Sequence, residues 1–210
     1  MLASIGVLTL LDPIRLANTQ SEVASVMLGY NNFWQIRMNA DYFAQLSKNS
    51  PFTHLWYIAI LLQFDLVFPF LLKGYTVMKK RSGFWTAAGI GLLAVLLTAV
   101  IMPVMYLLGN GENITTLYYS TFTRISPLLA GMVLALVHHE RIRILNHHLK
   151  RPIFSLGEIA VWTGIFVWLY FHVNGSDGSV YLYWMNVCTL ISARMIEVVK
   201  TGRTTGKILD

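Results

Sequence analysis

Charge is what this sequence has least of: sixteen lysines and arginines and ten acidic residues make up 12% of its 210 residues, about half of the ~25% usual in a soluble domain. So little charge cannot coat a water-soluble globule of this size. With 55% hydrophobic residues and a mean hydropathy of +0.55, the solvent for most of the surface has to be lipid. Cysteine is scarcer still. The one thiol, Cys188, lies in an apolar run, which excludes an intrachain disulfide and leaves the redox compartment unmarked. No His/Cys spacing suits a metal, and the pairs His138-His139 and His147-His148 flank a basic loop where solvent or lipid headgroups meet them. Repeats, low-complexity tracts and a soluble folded domain are also missing. The formal charge of +6 does not point to nucleic acid, because the basic residues sit in short loops between apolar runs.

Long apolar runs are what the sequence has in abundance. A hydrocarbon core roughly 30 Å thick needs about 20 residues of apolar helix, and five windows reach that length: Phe52 to Leu72, Phe84 to Leu108, Leu117 to Val137, Ile153 to Val173 and Val180 to Val199. Met1 to Leu11 is apolar but half as long, stops at Asp12-Pro13, lacks the marks of a signal peptide and reads as the end of a partial span. The expected fold is therefore all-α, a polytopic bundle of about five complete spans and a partial N-terminal one. Lys73, Lys79, Lys80 and Arg81, then Arg141, Arg143, Lys150 and Arg151, then Lys200, Arg203 and Lys207 occupy alternate loops. The positive-inside rule puts these on the cytoplasmic face of a cell membrane. Pro13 to Pro51 then lies outside, with Phe33, Trp34, Tyr42 and Phe43 as interfacial anchors.

Polar residues inside the spans need a partner or a function, since a charge there costs roughly 2.5 to 3.5 kcal/mol. On the first complete span His54 and Trp56 stand near the outer end, and Gln63 shares a face with Trp56, seven residues away. On the third, Thr121 and Arg124 share a face, with Arg124 about 10 Å below the outer edge. A pocket open to the outside and lined by these groups is the expectation. Asp65 and Arg194 fall at nearly the same depth on different spans and are expected to pair; Glu158 and Glu197 lie near the cytoplasmic ends.

Two stretches go further. Asp41-Tyr42-Phe43-Ala44, then Ser50-Pro51-Phe52-Thr53-His54-Leu55-Trp56 leading to Gln63-Phe64 and Phe68-Pro69, resembles the signature of the acyltransferase-3 family. Tyr118-Tyr119-Ser120-Thr121-Phe122-Thr123-Arg124, followed by Leu128-Leu129-Ala130-Gly131, is similar to that family's Tyr-Tyr-Gly-Thr-Asp-Thr-Arg segment. The family moves acyl groups, usually acetyl from cytoplasmic acetyl-CoA, onto sugars across the membrane, and the sequence around Thr53 to Tyr57 is most similar to the peptidoglycan O-acetyltransferase branch. The resemblance implies an acyl-CoA donor, a cell-surface glycan acceptor and no nucleic acid. It also implies His54 and Arg124 as catalytic residues, with Trp56, Gln63, Tyr119 and Thr121 binding substrate and no metal.

Departures from the pattern matter equally. The family's first span, with its Arg and His, and the Arg-rich motif expected to hold the CoA phosphates have no counterpart here. Leu61 and Leu62 replace paired glutamates, Asp65 replaces a tyrosine, and Phe122 replaces an aspartate. The expectation is a partial acyltransferase domain over residues 1–210, without the first and the C-terminal spans. The alternative to an enzyme is accordingly an inactive remnant, or a subunit that takes its missing helices or an extracytoplasmic domain from elsewhere. A transporter is disfavoured, as the sequence shows no inverted repeat and no paired broken helices.

Overall fold

The computed structural model describes residues 13–38, 52–111, 114–139, 152–175 and 177–201, with no strand among them. In chain order these form α1 (Pro13–Met27), α2 (Asn31–Arg37), a 3-10 turn (Thr53–Leu55) running into α3 (Trp56–Ser82), α4 (Phe84–Leu108), α5 (Ile114–Tyr119), α6 (Thr121–His139), α7 (Pro152–His172), and a π-helical turn (Val180–Trp184) running into α8 (Met185–Thr201). Thr53–Ser82, Phe84–Leu108, Ile114–His139 and Val180–Lys200 are each long and apolar enough to cross a bilayer. The apolar stretch Leu156–His172 is shorter, although the whole of α7, 21 residues, measures about 31 Å at the α-helical rise. The all-helical membrane bundle is therefore what the chain forms. Met1 to Leu11, Asp41 to Ala44, Ser50-Pro51, His147-His148 and the basic residues of 141–151 and 203–207 lie outside the described residues.

The bundle is apolar on the outside. Only 6% of the most apolar window of α4 is buried within the protein, while Leu96, Leu97, Leu107 and Leu108 are exposed. In water this would be an aggregation surface; in lipid it costs nothing. The short helix α2 is inverted in the same sense, with Asn31, Asn32 and Gln35 fully buried and Phe33 and Met38 exposed.

Close approach of the spans depends on small residues. The most extensive contact is between α4 and α6, and a Cβ on Gly91 would stand 3.0 Å from Val133 Cγ2. Gly91→Leu is expected to push the two helices apart at a cost of about 1–3 kcal/mol. Gly89→Leu, where a Cβ meets nothing within 4 Å, is the control. Thermal unfolding in detergent should separate the two; equal midpoints would contradict this packing. Gly83 turns α3 into α4 at φ +87°, a left-handed conformation that glycine adopts without strain.

Lost backbone pairings are met by side chains, as an apolar solvent requires. Pro103 inside α4 has no N–H to give the Ala99 carbonyl, and Asn186 Nδ2 of α8 donates to that oxygen at 3.0 Å. Arg194 pairs with Glu158 on α7, Nε to Oε1 at 2.6 Å and Nη2 to Oε2 at 3.2 Å. The expected Asp65–Arg194 pair is thus corrected: similar depth does not make two spans neighbours, and α8 packs on α7. Asp65 is exposed on the surface of α3. Glu197, buried, lies 3.6 Å from His138 Nδ1.

Two buried clusters meet at the junction of α5 and α6. Met102, Leu117, Val180 and Tyr181 form one buried cluster and Trp56, Ile60 and Tyr119 another, with Tyr118 packed against both.

Candidate functional site

The third span is interrupted at Ser120, between α5 and α6. A continuous helix would pair the carbonyls of Leu117, Tyr118 and Tyr119 with the next turn. They accept from side chains: Thr123 Oγ1 reaches Leu117 O at 2.7 Å, Arg124 Nε donates to Tyr118 O at 2.9 Å, and Asn32 Nδ2 donates to Tyr119 O at 3.2 Å. The π-helical turn of the last span lies at the same place and brings Met185 against Arg124. Sequence reading found no paired broken helices; among the described residues the third span is broken at Ser120 and the last begins with a π turn, and both border on Arg124. Irregular backbone within a membrane persists where it is buried in protein and re-satisfied, and π turns recur at functional sites.

Arg124 is the centre of this arrangement. Its guanidinium is held by Nε on the Tyr118 carbonyl and by Nη1 on Met185 Sδ at 3.1 Å. The rings of Tyr118 and Trp56 lie 4.7 and 5.7 Å from its Cζ. Trp56 is fixed in turn by edge-on contact with Tyr119 at 5.2 Å. Arg124 is only 9% exposed, its Nη2 is buried without a hydrogen-bond partner, and no carboxylate among the described residues lies within ion-pair distance. A desolvated cation with an idle donor is unfavourable unless something negative joins it. A crevice of about 320 Å³ lined by Leu169, Trp184, Met185 and Cys188 borders this cage through Met185.

Beside the cage lies a closed polar ring. Gln63 Nε2 donates to Asn32 Oδ1 at 2.9 Å and to Gly29 O at 3.0 Å. Thr121 Oγ1 donates to Gln63 Oε1 at 2.6 Å and accepts from Asn32 Nδ2 at 2.9 Å. The ring joins α2 to α3 and α6 and shares Asn32 with the Tyr119 carbonyl. It continues through α2, where Gln35 Nε2 donates to the buried Glu22 at 3.1 Å and Asn31 Nδ2 reaches Phe52 O at 3.4 Å.

Of the residues singled out from the sequence, Trp56, Tyr119 and Arg124 meet in the cage, and Gln63 and Thr121 meet in the ring. His54 is exposed on the 3-10 turn before α3, in neither group. Sequence reasoning missed Asn32, Gln35, Glu22 and Met185. The signal for the first two was present: amides three residues apart in the otherwise apolar run Asn31-Asn32-Phe33-Trp34-Gln35-Ile36.

Residues 6–199 match the profile of a family described as an acyltransferase domain. A candidate peptidoglycan O-acetyltransferase of Bacillus subtilis, YrhL, is 38% identical over 129 residues, 61% of this chain and 20% of the relative. The peptidoglycan O-acetyltransferase OatA of Listeria monocytogenes is 34% identical over 125 residues, 60% of this chain and 20% of the relative. A candidate O-acetyltransferase of Staphylococcus aureus is 27% identical over 202 residues, 90% of this chain and 31% of that protein. The chain thus covers a fifth to a third of the length of these relatives. No solved structure matches.

Proposed function

This chain belongs to the acyltransferase-3 family, and from that premise we propose that it serves the transfer of an acetyl group from a cytoplasmic acyl-CoA to a hydroxyl of a cell-surface glycan, peptidoglycan being the first candidate. The observation that carries the reading is the idle, buried Nη2 of Arg124. In acyl transfer the acceptor oxygen attacks the acetyl carbonyl carbon, a C–O bond forms, the bond to the donor's sulfur breaks, and the hydroxyl proton passes through a base to the departing thiolate. Negative charge grows on the carbonyl oxygen meanwhile. A fixed donor aimed at that oxygen in a dry site is worth a few kcal/mol in the transition state. Arg124 supplies such a donor, Trp56 and Tyr119 hold the walls that exclude water, and the 320 Å³ crevice behind Met185 offers room for the acyl group. His54, exposed half a turn before Trp56 on the same span, is assigned to orient or deprotonate the acceptor. The saturated donors of Gln63 and Thr121 suit them to hold the site together more than to touch substrate directly.

In this reading the end of the bundle with Lys73, Lys79, Lys80 and Arg81 faces the cytoplasm and the α2 end faces out. A second reading, in which the chain works only with helices of another chain, is favoured by Asp65. An exposed carboxylate halfway along Thr53–Ser82 faces lipid at a cost unless another helix covers it. Muropeptide mass spectrometry on cells with and without the chain tests the proposal. Alkali-labile acetyl groups that appear only with the chain support it, and an unchanged acetyl content in both strains contradicts it. Appearance only when a second membrane protein is co-expressed supports the subunit reading.

A further inference from the structure

At the basic end of the bundle, away from the Arg124 cage, α3, α4 and α6 leave a cavity of about 260 Å³. Its walls are apolar, with Gly74 and Met78 from α3, Ala87 and Gly91 from α4, and Val133 and Leu136 from α6 among them. It is larger than the ~150 Å³ apolar cavity that takes up benzene, so a flexible hydrocarbon chain fits where a single ring would be loose. Gly74 and Met78 also line a groove that runs along α3 beside Lys73 and Arg81. Gly74 is the gap between cavity and groove, since a Cβ there would meet no atom within 4 Å. Lys73 and Arg81 are both exposed, eight residues apart and so about 12 Å apart along the helix.

The result is a continuous amphipathic site. Two cations stand at the rim, an apolar crevice leads inward, and no acidic side chain lines either part. We infer that this is a binding site for an anionic phospholipid of the inner leaflet, with the phosphate on Lys73 and Arg81 and one acyl tail passing Gly74 into the crevice. Charge selects the head: basic pockets at the membrane surface favour anionic lipids over zwitterionic ones. Shape selects the tail, because the walls of the crevice are apolar apart from Tyr75 and carry no charge to orient anything else. The inference is independent of the acyltransfer reading, whose residues line neither the cavity nor the groove.

The test uses the purified full chain in a neutral detergent, titrated with dioctanoyl phosphatidylglycerol and, separately, dioctanoyl phosphatidylcholine, with bound lipid counted by native mass spectrometry. Phosphatidylglycerol is expected to bind at least tenfold more tightly than phosphatidylcholine. Lys73→Gln with Arg81→Gln should remove that preference, and Gly74→Ile should abolish binding of both lipids. Gly74→Ala and Lys73→Arg should bind as the wild type does, which separates loss of the site from loss of folding. Equal binding of the two lipids, or a preference that survives the double glutamine variant, would overturn the inference. So would octanoyl-CoA displacing phosphatidylglycerol at a tenth of its concentration in an Arg81-dependent manner, since the site would then belong to a coenzyme A ester.

Discussion

Arg124→Gln is expected to lower acetyl transfer by about a hundredfold to a thousandfold, the loss typical when one fixed donor to a developing oxyanion is removed, while leaving the protein folded. The size of the stability change distinguishes this from a structural role. Arg124 has an Nη2 without a partner in a site that is 9% exposed, so replacing the charge by a neutral amide removes a desolvation penalty as well as the bond from Nε to Tyr118 O. The two nearly cancel, and the thermal midpoint in detergent should move little. Arg124→Lys should not rescue activity. An ammonium is a compact point charge, and it cannot hold the Tyr118 carbonyl and Met185 Sδ while keeping a third nitrogen free for substrate. Unfolding of both variants, with activity falling only in proportion to the folded fraction, would mean that Arg124 is a structural residue.

The second large effect falls on stability. Gln63→Leu strips three hydrogen bonds from the ring, those to Gly29 O, Asn32 Oδ1 and Thr121 Oγ1, and leaves their partners in a part-buried site. At about 1 kcal/mol for each, the expected cost is about 3 kcal/mol. Asn32→Leu should cost a similar amount, as it releases Gln63, Thr121 and the Tyr119 carbonyl. Because the two residues bond to each other as well as to shared partners, the double variant should lose clearly less than the sum. Strict additivity of the unfolding midpoints would show that the ring is not a unit. Gln63→Glu should not rescue the fold, since a carboxylate oxygen in place of Nε2 sets an acceptor against both Asn32 Oδ1 and Gly29 O.

Much of this architecture could be read from residues alone, because span length and apolarity are local properties. Phe84 to Leu108 coincides with α4, and Val180 marks the start of the last span in both readings. By hydropathy the first complete span ends at Leu72, but its helix runs on to Ser82. Hydropathy stops at Lys73 whereas helical backbone does not, and lysines at a helix end favour its C-terminal dipole. The break at Ser120 was not legible, as neither glycine nor proline marks it; Thr123, Arg124 and Asn32 make it possible by capping freed carbonyls from positions up to 87 residues away. The ion pair failed for a related reason. Depth along a helix follows from counting residues, but which helix stands alongside follows from packing, and Arg194 therefore meets Glu158. Within the site, Arg124, Trp56 and Tyr119 were found because a cation or a ring at membrane depth is conspicuous. Asn32 escapes a sequence reading because it falls in the stretch placed outside the membrane, where an amide draws no notice until its burial is seen.

The central claim is that Arg124 meets the acyl carbonyl, and the most direct measurement is the alkali-labile acetate on wall glycan from cells whose sole source of the activity is this chain, wild type or Arg124→Gln, at matched membrane levels. The account predicts acetate with the wild type and about one per cent of it or less with Arg124→Gln. Equal acetate from the two would contradict it.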